Sequence, residues 1–224
     1  YAIPPEISIW CNDKKHMPEY IPKAFLPKRY KSFSDGKSFF EYENNDILFP
    51  CVVKVSSSSS GDGVKICRSI FDIDTSRKKF KNIKGSIFIE EFINSQYNLG
   101  IQFAIPFNKK KNIEVIGINE QLTTKEGEYL GSIIDKNKPF PLSAQVAQFI
   151  VERILPFIQD KGWYGVGGFD VLFHSLSTQT MPDSEWEVII VDDYYYDRYY
   201  DITPSPTDFW IPVEHIPPRI FHFY

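Results

Sequence analysis

Residues 49–66, FPCVVKVSSSSSGDGVKI, constrain this chain more than any other stretch. Cys51, Val52, Val53, Lys54 and Val55 form a short apolar run of strand composition with one lysine inside it. Five serines and Gly61-Asp62-Gly63 follow at once, and residues 64–69 resume a strand pattern. The order predicts a β-hairpin with a Ser/Gly tip. The tip has two readings. A serine tract serves as an unconstrained hairpin tip. A loop of free backbone N–H groups and hydroxyls beside a strand-borne lysine also suits anionic oxygens, those of a polyphosphate among them. The G-x-x-x-x-G-K-[ST] order of a Walker loop is absent.

The bulk properties narrow the function classes. A length of 224 residues is enough for one large domain or for two small lobes around a cleft. A net charge of −4 argues against a dedicated nucleic-acid binder. No apolar run approaches the ~18 residues of a membrane helix, and no signal peptide is visible. Neither a nucleic acid nor a membrane is therefore an expected partner. Cys11, Cys51 and Cys67 form no C-x-x-C pair, and an odd count is a poor disulfide framework. A reducing, cytoplasmic setting is expected. The chain begins at Tyr1 rather than Met, so a fragment of something longer, or dependence on a partner chain, is also expected.

Periodicity and punctuation give a coarse element order. Residues 1–35 read as a connecting segment, closed by the turn signal Asp35-Gly36. A short helix over 37–46 precedes the hairpin, and a polar helix over 74–84 follows it. Residues 86–93, SIFIEEFI, read as a strand. Residues 100–106 and 113–118 read as two more, joined by a lysine-rich turn. Val146, Phe149, Ile150, Ile154, Phe157 and Ile158 recur at helical spacing. They predict a helix over 143–161 with Ser143 as N-cap, a kink at Pro156 and Gly162 as C-cap. Two late strands each present acid: 166–173, with Asp170 in its middle, and 187–191, ending on Asp192-Asp193.

Asp170 sits between apolar neighbours, so its carboxylate needs a cationic or turn partner, or a metal. If the two late strands are adjacent and antiparallel, their acids can face one Mg²⁺. That hard cation takes a few carboxylates and leaves its other positions to phosphate oxygens and water. No Ser-His-Asp or Cys-His arrangement is evident, and the four histidines, His16, His174, His215 and His222, are scattered.

In this order the pieces resemble the ATP-grasp fold. The resembling motifs are NDK at Asn12-Asp13-Lys14, FPCVVKV, the serine-rich flap, IFIEEFI, GFDVLF and VIIVDD. The resemblance implies an α+β fold of two α+β lobes with a nucleotide cleft between them. The small lobe would span 36–90 and the large lobe 91–224, with residues 1–35 leading from a missing N-terminal domain. It further implies that Lys54 binds phosphates with Lys14, or Lys15, as the second cationic contact, and that Ser58, Ser59, Ser60, Gly61 and Gly63 close over them. Glu90, Glu91, Phe92 and Ile93 would line the adenine pocket, and Asp170, Asp192 and Asp193 would hold Mg²⁺. Glu120-Gln121 would lie near the reacting groups. Arg198 would stabilise developing oxyanion charge, with Arg153 and Arg219 as weaker candidates. The implied activity is an ATP- and Mg²⁺-dependent ligase joining a small-molecule carboxylate to an amine through an acylphosphate. The alternative is a nucleotide-binding module without turnover. Three positions depart from the family pattern: Val55 replaces a proline, Gln96-Tyr97-Asn98 stands where an acid is usual, and Tyr194 replaces an asparagine.

Overall fold

The computed structural model describes residues 3–43, 46–58, 63–125, 129–134, 143–175 and 186–196. They form two antiparallel sheets. The small sheet has the order β1-β4-β2-β3, built from Arg29–Phe33 (β1), Cys51–Val55 (β2), Val64–Cys67 (β3) and Ile87–Glu91 (β4). The large sheet has the order β7-β6-β5-β8-β9. Its strands are Tyr97–Ile105 (β5), Glu114–Thr123 (β6), Tyr129–Ile133 (β7), Gly165–Ser175 (β8) and Trp186–Tyr196 (β9). The α+β expectation and the two-lobed cleft agree with this architecture. Among the described residues, no helix is long and apolar enough to cross a membrane.

Each sheet buries one face, and alternation along the strands decides what the other face offers. In the small sheet Cys51, Val53, Val55, Ile87 and Ile89 pack under two helices, Gly36–Glu41 (α2) and Ile70–Phe80 (α3), against Phe39, Ile73 and Phe80. The intervening residues Lys54, Phe88 and Glu90 therefore share the opposite, cleft-facing side, with Lys54 paired to Phe88 in the ladder. In the large sheet Leu99, Ile101, Phe103 and Ile105 of β5 pack with Phe169, Val171 and Phe173 of β8 in the main core. A helical layer covers that core: Ser143–Phe149 (α4), a π-helical turn over Ile150–Ile154, and Leu155–Asp160 (α5). The helix expected to kink at Pro156 is interrupted just ahead of it. Proline lacks the N–H that would continue the i→i−4 ladder, and it sits in the first turn of α5.

Residues 1–35 are not merely connecting chain. Helix Pro5–Cys11 (α1) and a 3₁₀ turn over Lys14–Glu19 follow one another, and Cys11, Met17, Tyr20 and Ile21 are buried in the core of the large sheet. The chain then crosses over and supplies β1 to the edge of the small sheet. The expected lower bound of the small lobe, residue 36, thus falls after a strand that belongs to it. The helix expected over 74–84 begins earlier, at Ile70. Ser69 and Asp72 form a reciprocal capping box that satisfies the first-turn N–H groups.

β8 and β9 are adjacent and antiparallel, with Asp170 and Asp192 as direct cross-strand partners. The register shifts immediately beside them: Val171 pairs with Ile190, leaving Val191 as an extra residue in β9. This bulge reverses the alternation. Val188 and Ile190 point into the core ahead of it. After it, Asp192 turns to the cleft face, and Asp193, opposite the core residue Phe169, turns inward.

Candidate active site

The cleft-facing sides of the two sheets bring their charged residues together. Lys54 is 8% exposed. Its Nζ donates to the carbonyl of Val191, the bulged residue, at 2.9 Å and lies 3.3 Å from Glu90 Oε2. Glu90 is itself held by Arg29, whose Nε and Nη2 lie 3.0 and 2.9 Å from Oε1. The guanidinium of Arg29 stacks on Phe88, 3.6 Å from the ring centroid. A buried carboxylate thus sits between two cations, satisfied on both oxygens. That arrangement fixes Lys54 on its strand.

Lys14 approaches from the other side. Asp13 caps the 3₁₀ turn through Lys15 N, and Lys14 N donates to Ser56 O at 3.0 Å, docking the turn against the end of β2. Lys14 Nζ lies 3.2 Å from Asp192 Oδ1 and donates to Ser58 O at 3.2 Å. Burial works against the Lys14 charge, but Asp192, Asp193 and Asp170 outweigh it and hold the ammonium above its ordinary pKa. Asp170 has no such surplus. Burial, then the charge of Asp192, push its pKa well above the usual carboxylate range, against the pull of Gln121, Lys14 and Lys54. Gln121 Nε2 donates to Asp170 Oδ1 at 2.7 Å.

Two facing carboxylates, one of them buried and raised by the other, form a donor set that fits Mg²⁺. Among the described residues no three His, Cys, Asp or Glu side chains gather to hold a metal unaided. Asp170 and Asp192 would supply two oxygens, and phosphate and water would supply the rest.

The remaining expected residues fall as follows. Asp193 lies on the inward side, with the Tyr20 hydroxyl donating to its Oδ2. Ser58 Oγ donates to Val55 O, and Gly63 O accepts from Val55 N at 2.8 Å, so both frame the base of the hairpin tip. A side chain on Gly63 would collide with Ser58 Oγ at 1.9 Å. Ser59, Ser60, Gly61 and Arg198 lie outside the described residues. Glu91, Phe92 and Ile93 end β4 and begin the connector to β5, the passage from one sheet to the other. The Glu91 carboxylate accepts from Lys28 N at 2.6 Å. Arg153 is exposed on the helical layer, behind the large sheet rather than in the cleft. Arg29 was not anticipated: nothing in the Pro/Lys/Tyr-rich segment marks it as a partner of Glu90. The Val191 carbonyl has no side-chain signal at all.

Comparison with known proteins places this geometry. A family model described as "L-aspartate--L-methionine ligase, ATP grasp" matches residues 32–183. A formate-dependent phosphoribosylglycinamide formyltransferase of Haemophilus ducreyi is 29% identical over 160 residues, covering 68% of this chain and 39% of that protein. The crystal structure of phosphoribosylamine–glycine ligase from Thermotoga maritima superposes with a TM-score of 0.62 at 14% identity, over 87% of this chain and 50% of that one. An L-amino acid ligase from Bacillus licheniformis does so with a TM-score of 0.54 at 16% identity, over 82% of this chain and 40% of that one. The chain thus spans half or less of the length of these proteins. The matched residues carry Lys54, the connector after β4 and Asp170, and the chain belongs to the ATP-grasp family.

Proposed function

We propose that this chain forms the ATP- and Mg²⁺-binding part of a cytoplasmic ligase that joins a carboxylate to an amine and releases ADP and phosphate. The observation that carries the reading is the convergence of Lys54, Lys14 and the Asp170–Asp192 pair on one cleft between two sheets. The names of the relatives, ligases of amino acids and of glycine among them, support the reaction class. Cys11, Cys51 and Cys67 are buried, in keeping with a reducing compartment.

The chemistry asked of the protein is mostly positioning and charge neutralisation. A substrate carboxylate oxygen attacks the γ-phosphorus of ATP, and ADP leaves. The amine nitrogen then attacks the acylphosphate carbonyl, inorganic phosphate departs, and the nitrogen loses its proton. In this reading Lys54, fixed by Glu90, and Lys14 meet the phosphates. Ser58, Ser59, Ser60, Gly61 and Gly63 cover them, and Glu91, Phe92 and Ile93 border the adenine. Arg198 faces the oxyanion. Asp170 and Asp192 would hold Mg²⁺, with Asp193 beneath them; the ion would neutralise phosphate charge. A further domain or partner chain would complete the carboxylate site.

The test gives the purified full-length gene product ATP, Mg²⁺ and a panel of carboxylate and amine pairs. ADP and phosphate should be released in equal amounts with at least one pair. Release no higher than the substrate-free background with every pair would sink the reading.

A further inference from the structure

Gln121 reaches Asp170 from two strands away. It lies on β6, Asp170 lies on β8, and β5 runs between them. Two strand spacings amount to roughly 9.5 Å, which a glutamine and an aspartate span only by leaning toward each other over the middle strand. The residue of β5 directly opposite Asp170 is Gly100. Gly100 presents no side chain there, and its other ladder partner is Asn119 of β6. A Cβ alone would press on Asn119 Oδ1 at 2.8 Å. Gln121 is 8% exposed and Asp170 is 5% exposed, so the hydrogen bond between them is closed to solvent.

An amide is the neutral donor suited to this place. It occupies Oδ1 of Asp170 and leaves Oδ2 for whatever cation the pair with Asp192 shares. Lysine would compete with that cation, and glutamate would add a third negative charge to a buried pair. We infer that Gln121 is a positioning residue for Asp170, orienting the buried carboxylate so that the aspartate pair takes up Mg²⁺ with the nucleotide. The inference rests on the ligase reading above and assigns Gln121 to the metal step of it. Partners one shell out from a metal ligand commonly contribute 10–100-fold to metal affinity, in order of magnitude.

The experiment separates metal from nucleotide. ATP binding to the full-length gene product is titrated by calorimetry without Mg²⁺ and again across a Mg²⁺ series, for wild type, Gln121→Leu and Gln121→Asn. Leucine removes the donor, and asparagine keeps the amide but is one methylene too short to reach. In both variants metal-free ATP affinity should stay within about two-fold of wild type. The Mg²⁺ concentration for half-maximal enhancement should rise about ten-fold or more. Circular dichroism and a melting curve establish folding, and if leucine unfolds the chain, asparagine decides. A folded variant with the wild-type Mg²⁺ midpoint overturns the inference and leaves the ligase reading standing. A wild type that binds ATP with no response to Mg²⁺ removes the ligase reading and this inference together.

Discussion

On the ligase reading, Lys54 matters more to nucleotide binding than to folding, because of how its neighbours are satisfied. Removing it leaves Glu90 paired with Arg29, so no buried carboxylate is orphaned. Lys54→Met should therefore melt within a few degrees of wild type and fail to bind ATP by calorimetry. A variant that binds ATP normally would contradict the role. Asp13 gives a pH signature. Burial raises its pKa, but the Lys15 hydrogen bonds and charge, together with Ser56, bring the net value below the usual range. A carboxylate lowered on folding stabilises above its unfolded pKa of about 3.9 and loses that contribution as pH falls through the lowered folded value. Asp13→Asn should accordingly melt below wild type at neutral pH, with the gap closing below about pH 4. Residue identity alone pointed to Lys54, Asp170 and Asp192, since a lysine or an acid inside an apolar run must find a partner. It did not point to Arg29 or Tyr20, whose partners lie on strands far away in sequence.

At the scale of elements, the most consequential detail is the one-residue bulge at Val191. It puts Asp192 in the cleft and frees the carbonyl that Lys54 takes. Deleting Val191 would close the ladder with Asp192 still opposite Asp170 on the cleft face, and would remove the carbonyl to which Lys54 donates. The variant should bind ATP more weakly, as read by calorimetry, because Lys54 loses its backbone anchor, while the response to Mg²⁺ persists with the Asp170–Asp192 pair; loss of the Mg²⁺ response would contradict this account of the bulge. Helix α3 offers a smaller, separable test. Ser69→Ala removes one half of the capping box and should cost about 1 kcal/mol by urea unfolding, with ATP binding intact. The hairpin, β4 and the pair β8–β9 were legible because their runs are apolar and their punctuation is strong. α1, β1 and β7 were not: β1 is an edge strand rich in polar residues, and α1 is a short helix opened by a proline. The bulge left no trace in composition, since it exists only in the pairing of one strand with another.

For the molecule as a whole, the cleft is self-paired. Lys14 rests on Asp192, and Lys54 rests on the backbone of the same strand. On the proposed reading, ATP arriving alone would take the lysines and leave two carboxylates facing its phosphates. Mg²⁺ arriving alone meets two ammonium groups. Each ligand would then relieve the repulsion felt by the other, so the two should bind with strong positive coupling. Calorimetric titration should show ATP affinity rising about ten-fold or more with saturating Mg²⁺, and Mg²⁺ binding weakly without nucleotide. Independent binding of the two would contradict this arrangement of charge.

The small sheet is also an insertion within the large lobe. The chain enters it at Lys28 and leaves it at Glu91, and those two residues are hydrogen-bonded to each other, Glu91 N to Lys28 O at 2.9 Å. Both crossings therefore run side by side as a two-stranded ribbon. A ribbon bends more readily across its flat face than in its own plane, so a hinge here would favour one direction of opening. Glu90 and Lys54, ion-paired on neighbouring strands of the small sheet, would be carried together toward or away from the aspartates. Opening and closing of the cleft becomes a measure of one angle, and the distance from Lys54 to Val191 is its gauge.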